Sequence, residues 1–523
     1  MRDWWRGAVI YQVYPRSFVD SNGDGIGDLQ GLATRLGYIA GLGVDAIWIS
    51  PFFTSPMRDY GYDVADYCGV DPMFGTLADF DAVIARAHAL GLKVVIDQVY
   101  SHTSDRHPWF AQSRAGRDAP RADWYVWADP KPDGSPPNNW QSLFVGPAWT
   151  WDARRGQYYL HNFLREQPDL NLLNPEVQDA LLGVAQFWLE RGVDGFRVDA
   201  VSHFTHDPGL RDNPPRTGGP RTRPVDFQTL LYNSDRPETL AFLARLRSVL
   251  DRYPERFAVG EIGGPDSAGR SLAAYLGDDR LHTAYSFLFL RADAPTPQFV
   301  RAAILDWEQL HAGGWPTWVF SNHDAPRAVS RWGGGGPPDS YAKLLNALLL
   351  SLRGSVCLYQ GEELGLPQAH VPFERLRDPE AIANWPQTLG RDGARTPIPW
   401  SAERAHGGFS EAEPWLPLDP KHLALAVDRQ QGATGSVLET TRELLAIRRR
   451  YRALISGDIR FLDSPDPVLA FERRDGAERV YCAFNLGAEP RAVTAPEDTR
   501  WRALMGDLGA PLGAYGFVLA APG

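Results

Sequence analysis

Two short stretches, VVIDQVYSH at 94–102 and DGFRVDA at 194–200, decide the fold, because each is an apolar, β-branched run that ends in charged residues. Strands that alternate with longer helical patterns are typical of βα units on a parallel sheet. Eight such units predict a closed (β/α)8 TIM barrel, in which the chemistry lies on the loops after the carboxyl ends of the strands. The eight runs are 9–18, 44–51, 93–100, 195–200, 257–262, 283–288, 318–324 and 355–361.

Two stretches interrupt this alternation. Residues 103–170 are too long for one crossover and are rich in Trp, Pro, Asp and Gly, which predicts an inserted subdomain B after strand three. Residues 456–523 show short alternating runs and predict a C-terminal antiparallel β domain, which we expect to be a β-sandwich. The catalytic barrel should then comprise residues 1–102 and 171–450.

Two further segments, 207–224 and 333–338, are so rich in Pro and Gly that they cannot hold regular structure. Both follow predicted barrel strands. They either border the functional site or connect elements at the surface. For 207–224 neither interpretation is favoured. For 333–338 the surface connector is favoured.

The composition excludes several classes of protein. The 523 residues carry a formal net charge of -11, which opposes binding to nucleic acid or to an anionic membrane surface. Cys68, Cys357 and Cys482 lie far apart and favour buried free thiols over a disulfide framework. The N-terminal stretch contains Asp3 and Arg6, and no apolar run is long enough to span a bilayer. We therefore expect a cytoplasmic protein that acts on a neutral small molecule, and the sequence specifies no oligomeric state.

Charged side chains stand at the carboxyl ends of several predicted strands. Asp97 ends the third strand, Arg197 and Asp199 end the fourth, Glu261 ends the fifth and Asp324 ends the seventh. An apolar strand gains nothing from burying an unpaired carboxylate. These residues therefore predict one site at the mouth of the barrel where several carboxyl groups meet.

Acetal hydrolysis requires two carboxyl groups, one protonated to assist the leaving oxygen and one ionised to attack the carbon. Asp199 and Glu261 can divide these tasks. Arg197, on the same strand face as Asp199, is expected to keep that aspartate ionised, while nearby negative charge should keep Glu261 protonated. Each acid taken alone is more often part of a structural salt bridge, but their joint pattern favours catalysis.

Several motifs in order make the chain resemble the α-amylase superfamily, in its α-glucosidase and oligo-1,6-glucosidase branch. They run from AVIYQVYPRSFVDSNGDGIGDLQG at 8–31 through RDYGYDVADY at 58–67 and QPDLN at 167–171 to RTPIPW at 395–400. The resemblance implies Asp199 as nucleophile, Glu261 as general acid/base and Asp324 as a third acid that holds the 2- and 3-hydroxyls of the sugar. The substrate-binding positions that it implies are Asp59, Tyr62, His102, Arg197, His323 and Arg395.

The form of the QPDLN motif also implies an exo mode of action. Asp59 and Arg395 are expected to pair across the pocket floor and bind the terminal 4-hydroxyl, and Tyr62 to offer a stacking face to the sugar. Only the non-reducing glucose then enters, so α-glucose should leave short, maltose-like α-glucosides one unit at a time. We favour α-1,4 linkages, and α-1,6 linkages and sucrose remain open because Ala200 matches neither linkage pattern of the family.

Residues 20–28 alternate oxygen-bearing side chains with glycines, a pattern that suits Ca²⁺ or Mg²⁺. The resemblance implies a structural cation at this loop, and an Asx-turn without metal is the alternative. The implied ligands are Asp20, Asn22, Asp24, the carbonyl of Ile26, and Asp28.

Two other functions stay open. A transglucosylase of the same superfamily would use the same acids but pass the glucosyl group to an alcohol, with 207–224 as the segment that sets this balance. A non-catalytic, transporter-associated homologue would carry a transmembrane segment, and some of these homologues lack the acids that this chain retains. No organic cofactor is expected, because neither a P-loop nor a dinucleotide-binding fingerprint precedes a helix.

Overall fold

The computed structural model describes residues 3–219, 221–263, 270–310, 314–333, 338–388 and 390–523. Eight parallel strands form its centre, and each overlaps one of the eight predicted runs, so the (β/α)8 barrel is confirmed. The strands are Val9–Val13, Ala46–Ile49, Lys93–Gln98, Gly195–Val198, Phe257–Ile262, Thr283–Ser286, Thr317–Val319 and Ser355–Tyr359.

The barrel is nearly closed. The strands are hydrogen-bonded in the order six, five, four, three, two, one, eight, seven, and a bridge between Ala284 and Pro316 joins the two outer strands. The register places Arg197 opposite Asp97 on the neighbouring strand. Because all eight strands run in parallel, the charged residues at their carboxyl ends meet at one mouth.

Helices surround the barrel and cover its apolar outer face. Leu77–Ala89 illustrates how the sequence starts such a helix, because the Thr76 hydroxyl accepts from the Asp79 backbone while the Asp79 carboxylate accepts from the Thr76 backbone. The longer helices are Leu29–Leu42, Leu77–Ala89, Pro175–Glu190, Thr239–Leu250, Pro297–Leu310, Pro338–Ser351 and Val437–Arg450. The shorter ones are Pro108–Arg114, Arg270–Tyr275, Leu288–Arg291, Ala328–Arg331, Pro379–Asn384, Pro420–Leu423, Val427–Gln430 and Arg452–Ser456.

Subdomain B lies between the third and fourth barrel strands. Its centre is a three-stranded antiparallel sheet of Trp127–Ala128, Gln157–Leu160 and Trp149–Asp152. A separate two-stranded sheet, Phe53–Thr54 with Asp66–Val70, follows the second barrel strand. The subdomain returns to the barrel through a bridge between His102 and Asp169.

The C-terminal β domain is confirmed as antiparallel, but its described residues form one five-stranded sheet rather than the predicted sandwich. One face of this sheet, with Phe471 and Cys482, belongs to the same apolar core as the barrel helices. The barrel therefore takes the place of a second sheet. The strands, in sheet order, are Asp458–Leu462, Val468–Asp475, Glu478–Asn485, Phe517–Pro522 and Trp501–Met505.

Three further expectations concern single features. Cys68, Cys357 and Cys482 are free thiols, the last two buried. Among the helices in the described part of the chain, none is long and apolar enough to cross a membrane. Of the glycine-rich segment at 333–338, residues 334–337 lie outside the described residues.

Candidate active site

A pocket of ≈ 490 Å³ opens at the carboxyl ends of the barrel strands. Six of the nine catalytic and substrate-binding residues predicted from the sequence line it: Asp59, Tyr62, His102, Asp199, Glu261 and Asp324. The other three, Arg197, His323 and Arg395, are fully buried and contact residues that line the pocket. The structure therefore brings all nine together.

Arg197 organises the carboxyl groups at the base of the pocket. Its Nη1 lies 2.5 Å from Oδ1 of Asp97 and 2.5 Å from Oδ1 of Asp199, and its Nη2 pairs with Oε1 of Glu261. One guanidinium thus contacts three carboxyl groups. One positive charge cannot balance three buried negative charges. We therefore expect the three carboxyl groups together to retain a proton near neutral pH.

The pKa shifts agree with that charge balance. Burial raises the pKa of Asp97 to about 6, although Arg197 opposes the shift. Burial also raises the pKa of Asp199 well above its usual value, and Glu261 and Asp97 add to the effect of burial. Arg197 favours the ionised Asp199, as predicted, but burial and the neighbouring carboxyl groups outweigh it.

Glu261 is held by hydrogen bonds from two neighbours. The backbone N–H of Ala200 donates to Oε2 at 3.1 Å, and the Tyr285 hydroxyl donates to Oε1 at 3.1 Å. Ala200 has a φ of 45°, in the left-handed region that a non-glycine residue seldom adopts. This turn directs its N–H toward the carboxylate of Glu261.

Asp324 lies across the pocket between cationic and neutral donors. Arg395 donates from Nη2 to Oδ1 at 2.8 Å, and Nε2 of His323 lies 3.1 Å from Oδ2. Arg391 adds a longer contact at 3.4 Å. Burial would raise the pKa of Asp324, but His323, Arg395 and Arg391 reverse the effect and hold it below its usual range, so Asp324 is ionised.

The predicted pairing of Asp59 with Arg395 is wrong, because Asp59 pairs with Arg391. Nη2 of Arg391 donates to Oδ1 of Asp59 at 2.8 Å, and Gln167 donates to Oδ2 at 3.1 Å. Arg395 lies one helical turn further along the chain and is engaged by Asp324. The pocket floor therefore closes as expected, with a different arginine.

Tyr62 and the two predicted histidines form one buried group. The ring of Tyr62 stacks on His323 with centroids 5.3 Å apart and planes at 7°, so His323 already covers one of its faces. Burial lowers the pKa of His323 to about 3 and that of His102 to about 4, so both rings are neutral. His102 also contacts Gln167, Nε2 to Nε2 at 3.0 Å, which links subdomain B to the pocket floor.

The pocket is also lined by residues that were not predicted as site residues from the sequence. An apolar collar lines part of the pocket, and Arg223, Arg291 and Glu380 also line it. We define the collar by Leu143, Phe144, Phe163, Phe287 and Leu290.

The segment at 207–224 borders the site, which decides between the two interpretations left open for it. Arg223 lines the pocket and donates from Nη1 to the carbonyl of Leu143 at 2.9 Å. The indole of Trp140 donates to the carbonyl of Arg211 at 2.9 Å, and further contacts tie the segment to subdomain B. Tertiary hydrogen bonds therefore hold a stretch whose composition excludes regular structure.

The loop at 20–28 offers oxygen donors whose chemistry fits Ca²⁺ or Mg²⁺. In the structure these oxygens accept backbone N–H groups: Asp20 from Gly23 at 2.7 Å, Asp24 from Ile26 at 2.8 Å, and Asp28 from Gly31 at 2.7 Å. The last of these hydrogen bonds caps the helix Leu29–Leu42. Among the described residues, no group of three or more His, Cys, Asp or Glu side chains is arranged as metal ligands.

A (β/α)8 barrel whose mouth holds paired carboxyl groups over a closed polar floor defines a glycoside hydrolase. The family model described as alpha amylase, catalytic domain, matches residues 12–457. The chain therefore belongs to the α-amylase family.

Three similar proteins illustrate its place in that family. A probable α-glucosidase of Rhizobium meliloti (strain 1021) is 55% identical over 504 residues, which cover 95% of this chain and 91% of that protein. An oligo-1,6-glucosidase of Heyndrickxia coagulans is 36% identical over 548 residues, covering 97% and 96%. The crystal structure of an α-glucosyl transfer enzyme, XgtA, matches with a TM-score of 0.96 at 51% identity and covers 100% of both chains.

Proposed function

We propose that the protein is a retaining, exo-acting α-glucosidase that releases α-glucose from the non-reducing end of short α-glucosides. The observation that carries the proposal is that Asp199 and Glu261 contact the two terminal nitrogens of one guanidinium, that of Arg197. Carboxyl groups held this close suit the retaining separation of roughly 5–5.5 Å rather than the wider inverting one.

The residues divide the reaction as follows. In the reactive state the proton of the carboxyl cluster lies on Glu261 and Asp199 is ionised beside Arg197. Asp199 attacks the anomeric carbon while Glu261 gives its proton to the leaving oxygen, which forms a glucosyl ester on Asp199. Water then attacks the anomeric carbon of this ester, the bond to Asp199 breaks, and Glu261 takes the proton of that water. The ionised Asp324 binds the 2- and 3-hydroxyls, and the Asp59–Arg391 pair binds the 4-hydroxyl at the closed floor.

We propose a preference for α-1,4-linked, maltose-like substrates. The closed floor and the mouth narrowed by 207–224 favour short substrates over starch. Relatives named as α-glucosidase and as oligo-1,6-glucosidase support both α-1,4 and α-1,6 cleavage. Ala200 follows the nucleophile and lines the pocket, so its small side chain leaves space for either linkage.

Proton NMR of the enzyme acting on maltose and isomaltose tests this function. We expect α-glucose to appear before mutarotation, and faster from maltose than from isomaltose. Early β-glucose would contradict the role of Asp199 as nucleophile. If neither sugar yields glucose but sucrose is cleaved, the substrate would be sucrose.

Glucosyl transfer to an alcohol is the second candidate function. The apolar collar gives an alcohol a binding surface at the point where water must otherwise enter. The similarity to an α-glucosyl transfer enzyme supports this activity. We expect both activities, and the ratio of transfer product to free glucose in the presence of an added alcohol measures their balance.

We further propose that the loop at 20–28 binds a structural Ca²⁺ through Asp20, Asn22, Asp24, Asp28 and the carbonyl of Ile26. The oxygen-only donor set supports this assignment. A bound cation should raise the melting temperature, because it binds only the folded loop. We expect calcium to raise the melting temperature of the chelator-treated protein, and Asp24→Ala to abolish that increase without changing the far-UV circular dichroism.

We propose the cytoplasm as the location of the protein. Its free thiols favour a reducing compartment. Cell fractionation, with detection of the protein in the soluble cytosolic fraction or outside it, tests this location.

A further inference from the structure

Tyr285 lies beside Glu261 on the inner face of the barrel. It belongs to the sixth barrel strand, Thr283–Ser286, and the register of that strand places Tyr285 opposite Glu261 on the fifth. Its side chain is 1% exposed and does not line the pocket, so we expect no contact with a bound sugar. Any effect of Tyr285 on the reaction must therefore act through a neighbouring residue.

The direction of the Tyr285 hydroxyl hydrogen is fixed by its two neighbours. Nε of Arg197 donates to the hydroxyl oxygen at 3.1 Å, and an arginine can only donate. Burial raises the pKa of Tyr285 well above its usual value, so the hydroxyl keeps its single hydrogen at neutral pH. That hydrogen is donated to Oε1 of Glu261, which lies 3.1 Å from the hydroxyl oxygen.

The two carboxyl oxygens of Glu261 have different surroundings. Oε1 accepts from the Tyr285 hydroxyl and pairs with Nη2 of Arg197, whereas Oε2 accepts from the backbone N–H of Ala200. A proton on Oε1 would face the hydrogens of both donors, so these contacts favour the form in which Oε1 carries no proton. Oε2 meets one donor among the described residues, which leaves a position on this oxygen for the proton.

We propose that Tyr285 is a positioning residue that keeps Oε1 of Glu261 free of the proton and so places the transferable proton on Oε2. This inference rests on the proposed function, in which Glu261 is the general acid. A proton shared between the two oxygens would be ready for transfer only part of the time, because only one of them can face the leaving oxygen. The Tyr285 hydroxyl thus orients the acid without touching the sugar.

The proton balance requires no further reactant. In the first half of the reaction the O–H bond at Oε2 breaks, the proton goes to the leaving oxygen, and Glu261 becomes a carboxylate. The Tyr285 hydroxyl keeps its own hydrogen and donates to Oε1 throughout, so it also stabilises the negative charge that forms. In the second half Oε2 accepts the proton of the attacking water.

Tyr285→Phe removes the hydroxyl and keeps the ring, and Tyr275→Phe is the matched control. Tyr275 is 2% exposed and its hydroxyl donates to Oδ1 of Asp235 at 3.0 Å, so it is also a buried phenol that donates to a carboxylate. Neither Tyr275 nor Asp235 lines the pocket. The measurements are single-turnover rates of the first half-reaction on maltose and on nitrophenyl α-glucoside, the pH dependence of kcat/KM for maltose, and the melting temperature.

We expect Tyr285→Phe to slow the first half-reaction about tenfold on maltose and less than about twofold on nitrophenyl α-glucoside, whose leaving group needs no proton. The basic limb of the pH dependence should move to higher pH, because the lost hydrogen bond favoured the ionised state of the carboxyl cluster. Tyr275→Phe should leave the ratio of the two rates and the pH dependence at their wild-type values.

Replacement of Tyr285 by difluorotyrosine is the second test, because a more acidic hydroxyl is a stronger donor to Oε1. This replacement should move the basic limb to lower pH, opposite to Tyr285→Phe. The ratio of the two rates should stay within about twofold of wild type, since the proton remains on Oε2.

Equal losses on maltose and nitrophenyl α-glucoside in Tyr285→Phe, in step with a lower melting temperature, would assign Tyr285 a purely structural role and overturn the proposal. An unchanged basic limb in both replacements of Tyr285 would also overturn it. If wild-type protein cleaves neither substrate, the proposed function itself fails, which is a different result from either of these.

Discussion

Arg391 and Asp59 form the ion pair that closes the pocket, with Nη2 of the arginine 2.8 Å from Oδ1 of the aspartate. Asp378 contacts the same nitrogen at 2.7 Å, and burial of the group raises the cost of breaking the ion pair. Arg395, only four residues away, holds Asp324 instead. Two arginines of one short segment therefore hold two different acids of the pocket.

Arg391→Lys should lower kcat/KM for an α-glucoside on the order of a hundredfold, because lysine cannot reproduce the forked contacts with Asp59 and Asp378. The penalty should shrink for the 4-deoxy substrate, which lacks the hydroxyl that we propose this pair binds. Arg395→Lys is the control, since its loss should shrink for the 2-deoxy substrate. If the two variants show the same pattern on both analogues, the division of roles between the arginines is wrong.

The strands of the barrel were predictable from the sequence because each combines an apolar run with a charged end, and register then brings Asp97, Arg197 and Glu261 together. The pairing at the pocket floor was not predictable. Arg391 and Arg395 lie on one short segment, and only its tertiary packing decides which of them faces Asp59. Motif order alone indicated a pairing with Arg395.

Other residues of the site differ in how clearly the sequence indicates them. Gln167 is the first residue of the QPDLN motif, and its contacts with Asp59 and His102 explain a glutamine at a buried position. Arg223 carries no such signal, because nothing in a Pro- and Gly-rich stretch shows where it will be held. The prediction of a β-sandwich for residues 456–523 was wrong, because alternation along a strand shows that one face is buried but not which element covers that face.

Asp199→Asn should abolish turnover, with a loss of at least about 10⁴-fold in kcat. An amide cannot form the glucosyl ester, while its size and its contact with Arg197 are similar to those of the acid. The melting temperature should stay within a few degrees of wild type, which shows that the loss is chemical. Turnover near the wild-type rate in this variant would remove the nucleophile from Asp199.

Glu261→Gln should affect substrates according to their leaving groups. Maltose needs a proton on its leaving oxygen, whereas a nitrophenolate leaves without one. The first half of the reaction should therefore slow on the order of 10³-fold for maltose and much less for nitrophenyl α-glucoside, as measured by single-turnover kinetics. Equal losses on the two substrates would count against a proton-donating role.

Asp169 should make the stability of the protein depend on pH. Burial raises its pKa to about 8, although the backbone N–H of Asn162 donates to its carboxylate at 3.1 Å. In the unfolded chain the pKa is about 3.9. The folded protein thus binds this proton more tightly, so the contribution of Asp169 to stability is full at low pH and declines as pH rises from about 4 to about 8.

Asp169→Asn removes this titration. The fall in melting temperature between pH 5 and pH 9 should be smaller in the variant than in wild type, as measured by differential scanning calorimetry. Asp118→Asn, at an exposed position of subdomain B, is the control and should follow the wild-type curve. Parallel curves for Asp169→Asn and wild type would show that the buried carboxyl is not the source of the pH dependence.

Ser17 supports the third acid from outside the pocket. Its hydroxyl donates to the carbonyl of Arg395 and accepts from the indole N–H of Trp415 at 2.9 Å. The backbone N–H of Trp415 in turn donates to the carbonyl of Gly25 in the loop at 20–28. We expect Ser17 to act as a positioning residue that fixes the Arg395 guanidinium at its contact with Asp324.

Ser17→Ala should lower kcat/KM for nitrophenyl α-glucoside about tenfold and affect the 2-deoxy analogue less, because the analogue lacks the hydroxyl that we propose Asp324 binds. Ser113→Ala is the control, since Ser113 is equally buried and accepts from the indole of Trp127 at the same 2.9 Å, far from Asp324. If the role of Ser17 is purely structural, kcat/KM should fall equally for both substrates, in step with a fall in the melting temperature. A loss that depends on the 2-hydroxyl, with similar melting temperatures in both variants, would instead place the effect of Ser17 on Asp324.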